Sequence, residues 1–298
     1  MRDAIFKGSA VAIVTPMDQQ GNIDFTAMER LLKFQLENGT DAILVNGTTG
    51  ESATLEENEK LELFEFAVHY VNHRVPVLIG TGGNSTTRSV NLSRKAQALG
   101  ASALLQVTPY YNKTSQQGLV EHFTTIADSV EIPIILYNVP TRTGVNVEPE
   151  TYQKLSEHPN IQAIKEAGGN ISHIAKVAAL CGDRLDLYSG NDDQTVPILS
   201  LGGKGVISVL ANIMPFEMHM ICKNFFDGEI VKSRDMQLEL LKVMNAMFMD
   251  VNPIPVKAAL SILGLCKENY RLPLVPMSKS EKKKLKEILE GYFTSIRT

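Results

Sequence analysis

The sequence predicts a closed parallel (β/α)8 barrel with a C-terminal helical domain. Two observations carry that expectation. Short apolar runs alternate eight times with longer helix-period segments, and beyond Gly228 only helical patterns remain. Strand count alone does not prove closure, so an open doubly wound sheet is the alternative. The change of pattern divides the chain into a barrel at residues 1–228 and a helical domain at 229–298.

The first strand is read at Ala10–Val14, and Asp24 caps a helix over Phe25–Glu37. Ala42–Val45 is the second strand. Thr54 opens the next helix, with Glu57 completing a capping box and Asn72-His73 near its end. Strand three is Pro76–Ile79, followed by a helix from Ser85 to Leu99 that Gly100 ends. Ala103–Val107 is strand four, and its helix starts near Ser115. Strand five, Pro133–Tyr137, precedes a short helix over Pro149–Glu157. The sixth strand begins at Ile161, with a helix from Ile171 to Leu180. Leu185–Tyr188 is the seventh, and Pro197 predicts a bend in its helix, Asp192–Leu201. Val206–Val209 is the eighth, and Pro215 suits the first position of the helix behind it. In the tail, helices are expected over Glu229–Asp250, Pro255–Gly264 and Ser278–Thr294. Pro253 and Pro255 separate the first two, because each removes a helix hydrogen bond and restricts its predecessor. Lys282-Lys283-Lys284 reads as a solvated helix face.

Composition narrows the function. A net charge of −4 leaves no basic footprint for nucleic acid and no polybasic stretch for an anionic membrane. No apolar run approaches a membrane span, and the opening MRDAIFKGSAVAIVTP lacks a signal peptide's layout, so a cytoplasmic protein is expected. Cys181, Cys222 and Cys266 are odd in number and widely spaced, which argues against a disulfide framework or a thiolate zinc site. They read as small buried apolar residues. His69 and His73 stand four apart without carboxylate or thiolate partners at ligand spacing, so no metal is expected.

Chemistry in a barrel gathers at the C-terminal ends of the strands. The informative stretch is Ile161-Gln-Ala-Ile-Lys165-Glu-Ala-Gly-Gly169, an interior strand with a lysine near its end. Such a lysine either snorkels to water or is kept neutral by desolvation, ready to attack a carbonyl and form a Schiff base. The neighbouring rim decides between them. After strand two comes Asn46-Gly47-Thr48-Thr49-Gly50-Glu51-Ser52, whose glycines permit a tight turn and whose hydroxyls and N–H groups suit a small carboxylate. Strand four ends in Thr108-Pro109-Tyr110-Tyr111-Asn112, and strand five in Tyr137-Asn138-Val139-Pro140-Thr141-Arg142-Thr143-Gly144. Ser189-Gly190-Asn191-Asp192 follows strand seven, and Gly205-Val206-Ile207-Ser208 lies in strand eight. An amine, phenols, hydroxyls and a guanidinium on one rim point to carbonyl chemistry.

Gly47–Ser52, Val107–Asn112, Tyr137–Gly144, Ile164–Ala167, Gly205–Ser208, Asn252–Lys257 and Arg271–Leu274 together resemble the dihydrodipicolinate synthase family of class I pyruvate aldolases, over essentially the whole chain and in the family's order. The resemblance implies a (β/α)8 barrel with a C-terminal helical domain. It implies condensation of pyruvate with L-aspartate 4-semialdehyde, in lysine and diaminopimelate synthesis, with no metal or organic cofactor. Lys165 would form the Schiff base. Tyr137 would exchange protons through Thr48 to Tyr111, which in the family enters from the neighbouring subunit of a homotetramer built as a dimer of dimers. Thr49 would hold the pyruvate carboxylate, Arg142 the carboxylate of the second substrate, and Gly190 and the Ile207 carbonyl would line the site.

N-acetylneuraminate lyase and the 2-keto-3-deoxy sugar-acid aldolases resemble this pattern at Lys165 and Tyr137. Arg142 favours a carboxylate-bearing partner over a sugar, and the Thr48-Thr49 pair favours the synthase. Nucleotide binding is a weak alternative, because Gly80-Thr-Gly-Gly-Asn84 lacks the last glycine of a dinucleotide fingerprint and Gly202-Gly-Lys-Gly205 lacks P-loop spacing. A non-catalytic small-molecule sensor would have little use for a phenol relay. The resemblance extends to a lysine-inhibitor site at Ser52, Ala53, Glu57, Lys60, Asn84, Arg88 and Tyr110. Lysine-sensitive forms carry histidines at the positions of Glu57 and Lys60 and a glutamate at that of Arg88, so inhibition by lysine is expected to be weak or absent.

Overall fold

The computed structural model describes residues 3–295; residues 1–2 and 296–298, the outer ends of the two expected domains, lie outside the described residues. Eight parallel strands pair in chain order: β1 (Gly8–Ala12), β2 (Ala42–Val45), β3 (Val77–Gly80), β4 (Ala103–Val107), β5 (Ile134–Asn138), β6 (Ile161–Glu166), β7 (Asp186–Ser189) and β8 (Gly205–Ser208). β8 returns to β1, with Gly8 opposite Gly205 and Val11 opposite Ser208, so the barrel is closed and the open-sheet alternative falls. Glycine is needed at that seam. A Cβ on Gly205 (φ +154°) would lie 1.9 Å from the Gly8 carbonyl oxygen.

Helices α1 (Phe25–Glu37), α2 (Glu57–Val71), α3 (Thr86–Ala98), α4 (Gln116–Ala127), α5 (Pro140–Thr143), α6 (Pro149–Leu155), α7 (Ile171–Cys181), α8 (Thr195–Ser200) and α9 (Pro215–Phe226) follow the strands; α10 (Ile230–Ala246), α11 (Ile254–Ile262) and α12 (Lys279–Ser295) form the tail. α1 shows why such segments are helical. The Asp24 carboxylate accepts the Ala27 N–H at 2.9 Å, and Ala27, Met28, Leu31 and Leu32 form one buried stripe. Each fully buried leucine there contributes roughly 1.5–3 kcal/mol.

Alternation along the strands sorts the core into two layers. Outward residues such as Ile164 meet the helices, whereas Ala10, Ala12, Ala42, Ala103 and Ala163 face the barrel interior with larger residues among them. The lower interior is filled by Tyr188, whose ring stacks on Phe6 at 4.3 Å between centroids. Its hydroxyl donates to the Phe6 carbonyl at 2.7 Å. The three cysteines are free and buried, as expected.

Some local expectations shift. β1 begins two residues earlier than Ala10, because Gly8 and Ser9 pair with β8 while Ile13 and Val14 continue beyond the strand. The capping box belongs to Glu56 and Glu59 rather than Thr54 and Glu57: the Glu59 carboxylate accepts the Glu56 N–H at 2.8 Å, and the Thr54 hydroxyl donates to the Glu51 carbonyl instead. Pro197 lies in the first turn of α8, where its missing N–H removes no helical bond. The change of helix type precedes it, in a 3-10 turn over Asp192–Gln194.

Candidate active site

The stretches after β2, β5, β6 and β7 meet at a cavity of about 320 Å³ at the C-terminal end of the barrel. Lys165 and Tyr137 share its wall because they are register partners on β6 and β5, so both side chains turn inward. The Lys165 Nζ lies 4.5 Å from the Tyr137 ring centroid. Only 5% of Lys165 is exposed, and burial lowers its pKa to about 8, with Arg142 pushing the same way and Asp192 opposing. At neutral pH roughly a tenth of such an amine is free, against well under a thousandth at the unperturbed value. That is the condition a Schiff-base nucleophile requires.

Burial raises the Tyr137 pKa, while the Arg142 charge and a hydrogen bond with Thr48 pull it down. Its phenol therefore remains protonated at neutral pH and is available as a proton donor. Thr48 and Thr49 line the same cavity, Thr48 beside Tyr137. The turn that brings them there differs from the glycine turn expected from sequence: the left-handed residues are Asn46 (φ 59°) and Glu51 (φ 54°). The Asn46 amide donates to the Gly80 carbonyl at 2.7 Å, and Gly50 fits closely under the Ile13 carbonyl and Thr15.

Arg142 sits at the end of α5 on the exposed lip of the cavity. Gly190 lines the floor near the amine. A Cβ there would lie 2.7 Å from the Ala167 Cβ and 3.2 Å from the Lys165 Cε. Ile207 is fully buried in the inner core cluster, and β8's contribution to the cavity wall is the following Val209. Tyr111 is not among the lining residues; it is 93% exposed with φ 69°.

Asn252 escaped the residue-by-residue reading. Its Nδ2 donates to the Thr49 hydroxyl at 3.0 Å, and its carbonyl accepts Arg142 Nη2 at 3.1 Å, so one tail residue braces both sides of the cavity. Glu166 also escaped it. Buried on the outer face of β6, it accepts the Gly168 N–H at 2.8 Å and two contacts from Asn138 Nδ2, and burial raises its pKa to about 7. The only signal for either in the sequence was the family resemblance around them. Among the described residues, no three His, Cys, Asp or Glu side chains cluster as metal ligands.

A profile of the dihydrodipicolinate synthetase family matches residues 5–292. The chain belongs to that family. It is 53% identical over 294 residues to the 4-hydroxy-tetrahydrodipicolinate synthase of Caldicellulosiruptor bescii, covering 99% of each. The crystal structure of dihydrodipicolinate synthase from Aquifex aeolicus superposes with a TM-score of 0.94 at 44% identity, over 96% of this chain and 98% of that one. Another structure of the dihydrodipicolinate synthetase type, described as the first monomeric dihydrodipicolinate synthase variant, gives 0.95 at 42% identity over 97% of each chain.

Proposed function

We propose that this protein condenses pyruvate with L-aspartate 4-semialdehyde to 4-hydroxy-tetrahydrodipicolinate, in lysine and diaminopimelate biosynthesis, through a Schiff base on Lys165. The observation that carries this reading is the desolvated Lys165 amine 4.5 Å from the Tyr137 ring, between a Thr48-Thr49 loop and Arg142.

Lys165 attacks the keto carbon of pyruvate, and loss of water leaves a protonated imine. The pyruvate carboxylate is held by Thr49 and the adjacent backbone N–H groups. The iminium draws electrons from the methyl group, which gives up a proton and becomes an enamine. Tyr137 carries protons to and from these intermediates, and Thr48 passes them towards Tyr111. The enamine carbon attacks the aldehyde of the second substrate, whose carboxylate meets the planar fork of Arg142. The substrate's own amine then displaces Lys165 and closes the ring. Gly190 leaves room beside the lysine, and the Ile207 carbonyl lines the base of the site. The lysine itself supplies the electron sink, so no cofactor enters the scheme.

In this reading Tyr111, absent from the lining of its own cavity, enters that of a neighbouring subunit. Its 93% exposure supports a dimer as the smallest complete unit, and we assign a homotetramer built as a dimer of dimers. The catalytic barrel spans residues 1–228 and the helical domain 229–298. No helix among the described residues is long and apolar enough to cross a membrane, and the composition supports the cytoplasm. Incubation with pyruvate and borohydride, followed by mass mapping, tests the reading: a reduced pyruvyl adduct is expected on Lys165 and absent from Lys165→Ala. Labelling at Lys204 or Lys257 instead would overturn it.

A further inference from the structure

The loop bearing Thr48 and Thr49 is held from the far end of the chain. Glu51, in its left-handed conformation, turns a fully buried carboxylate towards α11, where Oε1 accepts Lys257 Nζ at 2.5 Å. Its other oxygen accepts the Arg271 N–H at 3.3 Å. Lys257 is itself fully buried, and its Nζ also donates to the Thr15 carbonyl at 3.0 Å. The Thr15 hydroxyl in turn donates to the Gly50 carbonyl at 2.7 Å. Asn252, two residues before α11, takes hold of Thr49. Three consecutive loop residues, 49 to 51, are thus gripped by the tail directly or through Thr15.

A buried ion pair is a poor way to gain stability alone, because desolvating two charges offsets most of their attraction and an apolar pair of similar volume would do as well. What this pair supplies is a fixed distance. Nothing else among these contacts ties the loop at Glu51 to both α11 and the exit of β1. We propose that Lys257 is a positioning residue for the reaction: through Glu51 and Thr15 it sets the Thr48-Thr49 loop against Tyr137 and Lys165. The inference rests on the roles given to Thr48 and Thr49 above. Lys257 touches no reacting atom. Its effect is on enamine formation, which needs the Thr48 contact to Tyr137 and the Thr49 grip on pyruvate to coincide.

Two variants separate positioning from simple stabilisation. Glu51→Gln with Lys257→Met removes both charges and leaves neither uncompensated. Glu51→Asp keeps the pair but shortens its reach by one methylene. The readout is exchange of the pyruvate methyl hydrogens with deuterated water, followed by NMR without the second substrate, beside a thermal melt and borohydride labelling. Both variants are expected to stay folded and to label at Lys165 at saturating pyruvate, while exchange slows roughly tenfold to a hundredfold, the scale of an ångström's misplacement. Either variant exchanging at the wild-type rate while folded overturns the positioning role. Were the wild type itself to label elsewhere than Lys165, the reading of the site would fall first and this inference with it.

Discussion

Asn138 and Glu166 face each other one register step beyond Tyr137 and Lys165, and Asn138 Nδ2 donates to both carboxylate oxygens, at 3.0 and 3.1 Å. The inward pair lines the cavity and the next pair, turned outward, ties the two strands together. Tyr152 adds a hydroxyl contact to Glu166 from α6, and the Gly168 N–H joins the same carboxylate. The contact between β5 and β6 is therefore fixed just where its two inward side chains must meet.

The Glu166 carboxyl carries a pH signature. Burial raises its pKa to about 7, above the unfolded value, so the folded state binds more protons than the unfolded chain between the two. Its contribution to stability is full below the ordinary carboxylate range and is lost as pH rises through 7. The shift corresponds to a loss on the order of 3 kcal/mol. Denaturant melts of wild type and Glu166→Gln across that range should differ in slope, with the variant losing less stability on going to alkaline pH. Parallel curves would mean that Glu166 titrates as an ordinary surface carboxyl.

Lys165 sets a second pH dependence, on rate rather than stability. Its amine is reactive only when neutral, and its pKa of about 8 puts that transition within reach of ordinary buffers. The rate of borohydride-trapped adduct formation should climb about tenfold per pH unit below 8 and level off above it. Arg142→Ala should move the inflection upward, because the guanidinium charge helps to hold the pKa down. A wild-type inflection near the unperturbed value of about 10.4 would contradict the desolvation account.

Arg142→Ala should separate the two substrates. Losing one partner of a covered charge pair costs about 2–5 kcal/mol, and the lower end applies because Arg142 starts exposed. Steady-state kinetics should show a large drop in kcat/KM for aspartate semialdehyde, with pyruvate adduct formation far less affected. Equal losses in both would indicate that the contact of Arg142 to the Asn252 carbonyl matters more than substrate binding. Brisk cleavage of N-acetylneuraminate by the wild type would overturn the substrate assignment.

Inhibition by lysine should be weak or absent. Glu57, one of three acids that act on Lys60 beside Glu56 and Glu59, is engaged across to α3 by Lys95 at 2.5 Å. Burial lowers the Lys60 pKa and Arg88 pushes it the same way, while Glu56, Glu57 and Glu59 oppose them, so the two cations repel each other within an acidic surround. A ligand ammonium about 4 Å from either would meet roughly 1 kcal/mol of repulsion in water and about 4 at an effective dielectric of 20. A lysine titration of the forward condensation should be flat, and strong inhibition at cellular lysine levels would refute the charge argument.

The barrel was legible because its signal is local. Ala42–Val45 and Ala103–Val107 coincide with β2 and β4, and Phe25–Glu37 with α1, since apolar periodicity and Asp24 act within a few residues. The misplacements have equally local causes. Thr54 and Glu57 match a capping pattern, yet the Thr54 hydroxyl is already committed to Glu51, and the helix starts behind Glu56. Gly8 and Ser9 look like loop residues until closure of the barrel gives them strand partners. In the site, Lys165, Tyr137, Thr48, Thr49, Arg142 and Gly190 were found at strand ends and converge on one cavity. Asn252 and Lys257 could not be found that way. Their partners Thr49 and Glu51 lie 203 and 206 residues away, and no spacing rule connects a tail helix to a rim loop across such a gap.

The stacked pair of Phe6 and Tyr188 has a consequence for traffic. With the interior filled beneath the lysine, the cavity opens towards the C-terminal end of the barrel. Lys165 sits deep in it at 5% exposure and Arg142 stands exposed at its lip. On the proposed scheme, what Lys165 captures arrives before the molecule that Arg142 receives, because the lysine lies deeper than the arginine. The finished product must also leave before another pyruvate can descend. The floor of the barrel thus acts as a turnstile, imposing a queue on the reactants without touching either of them.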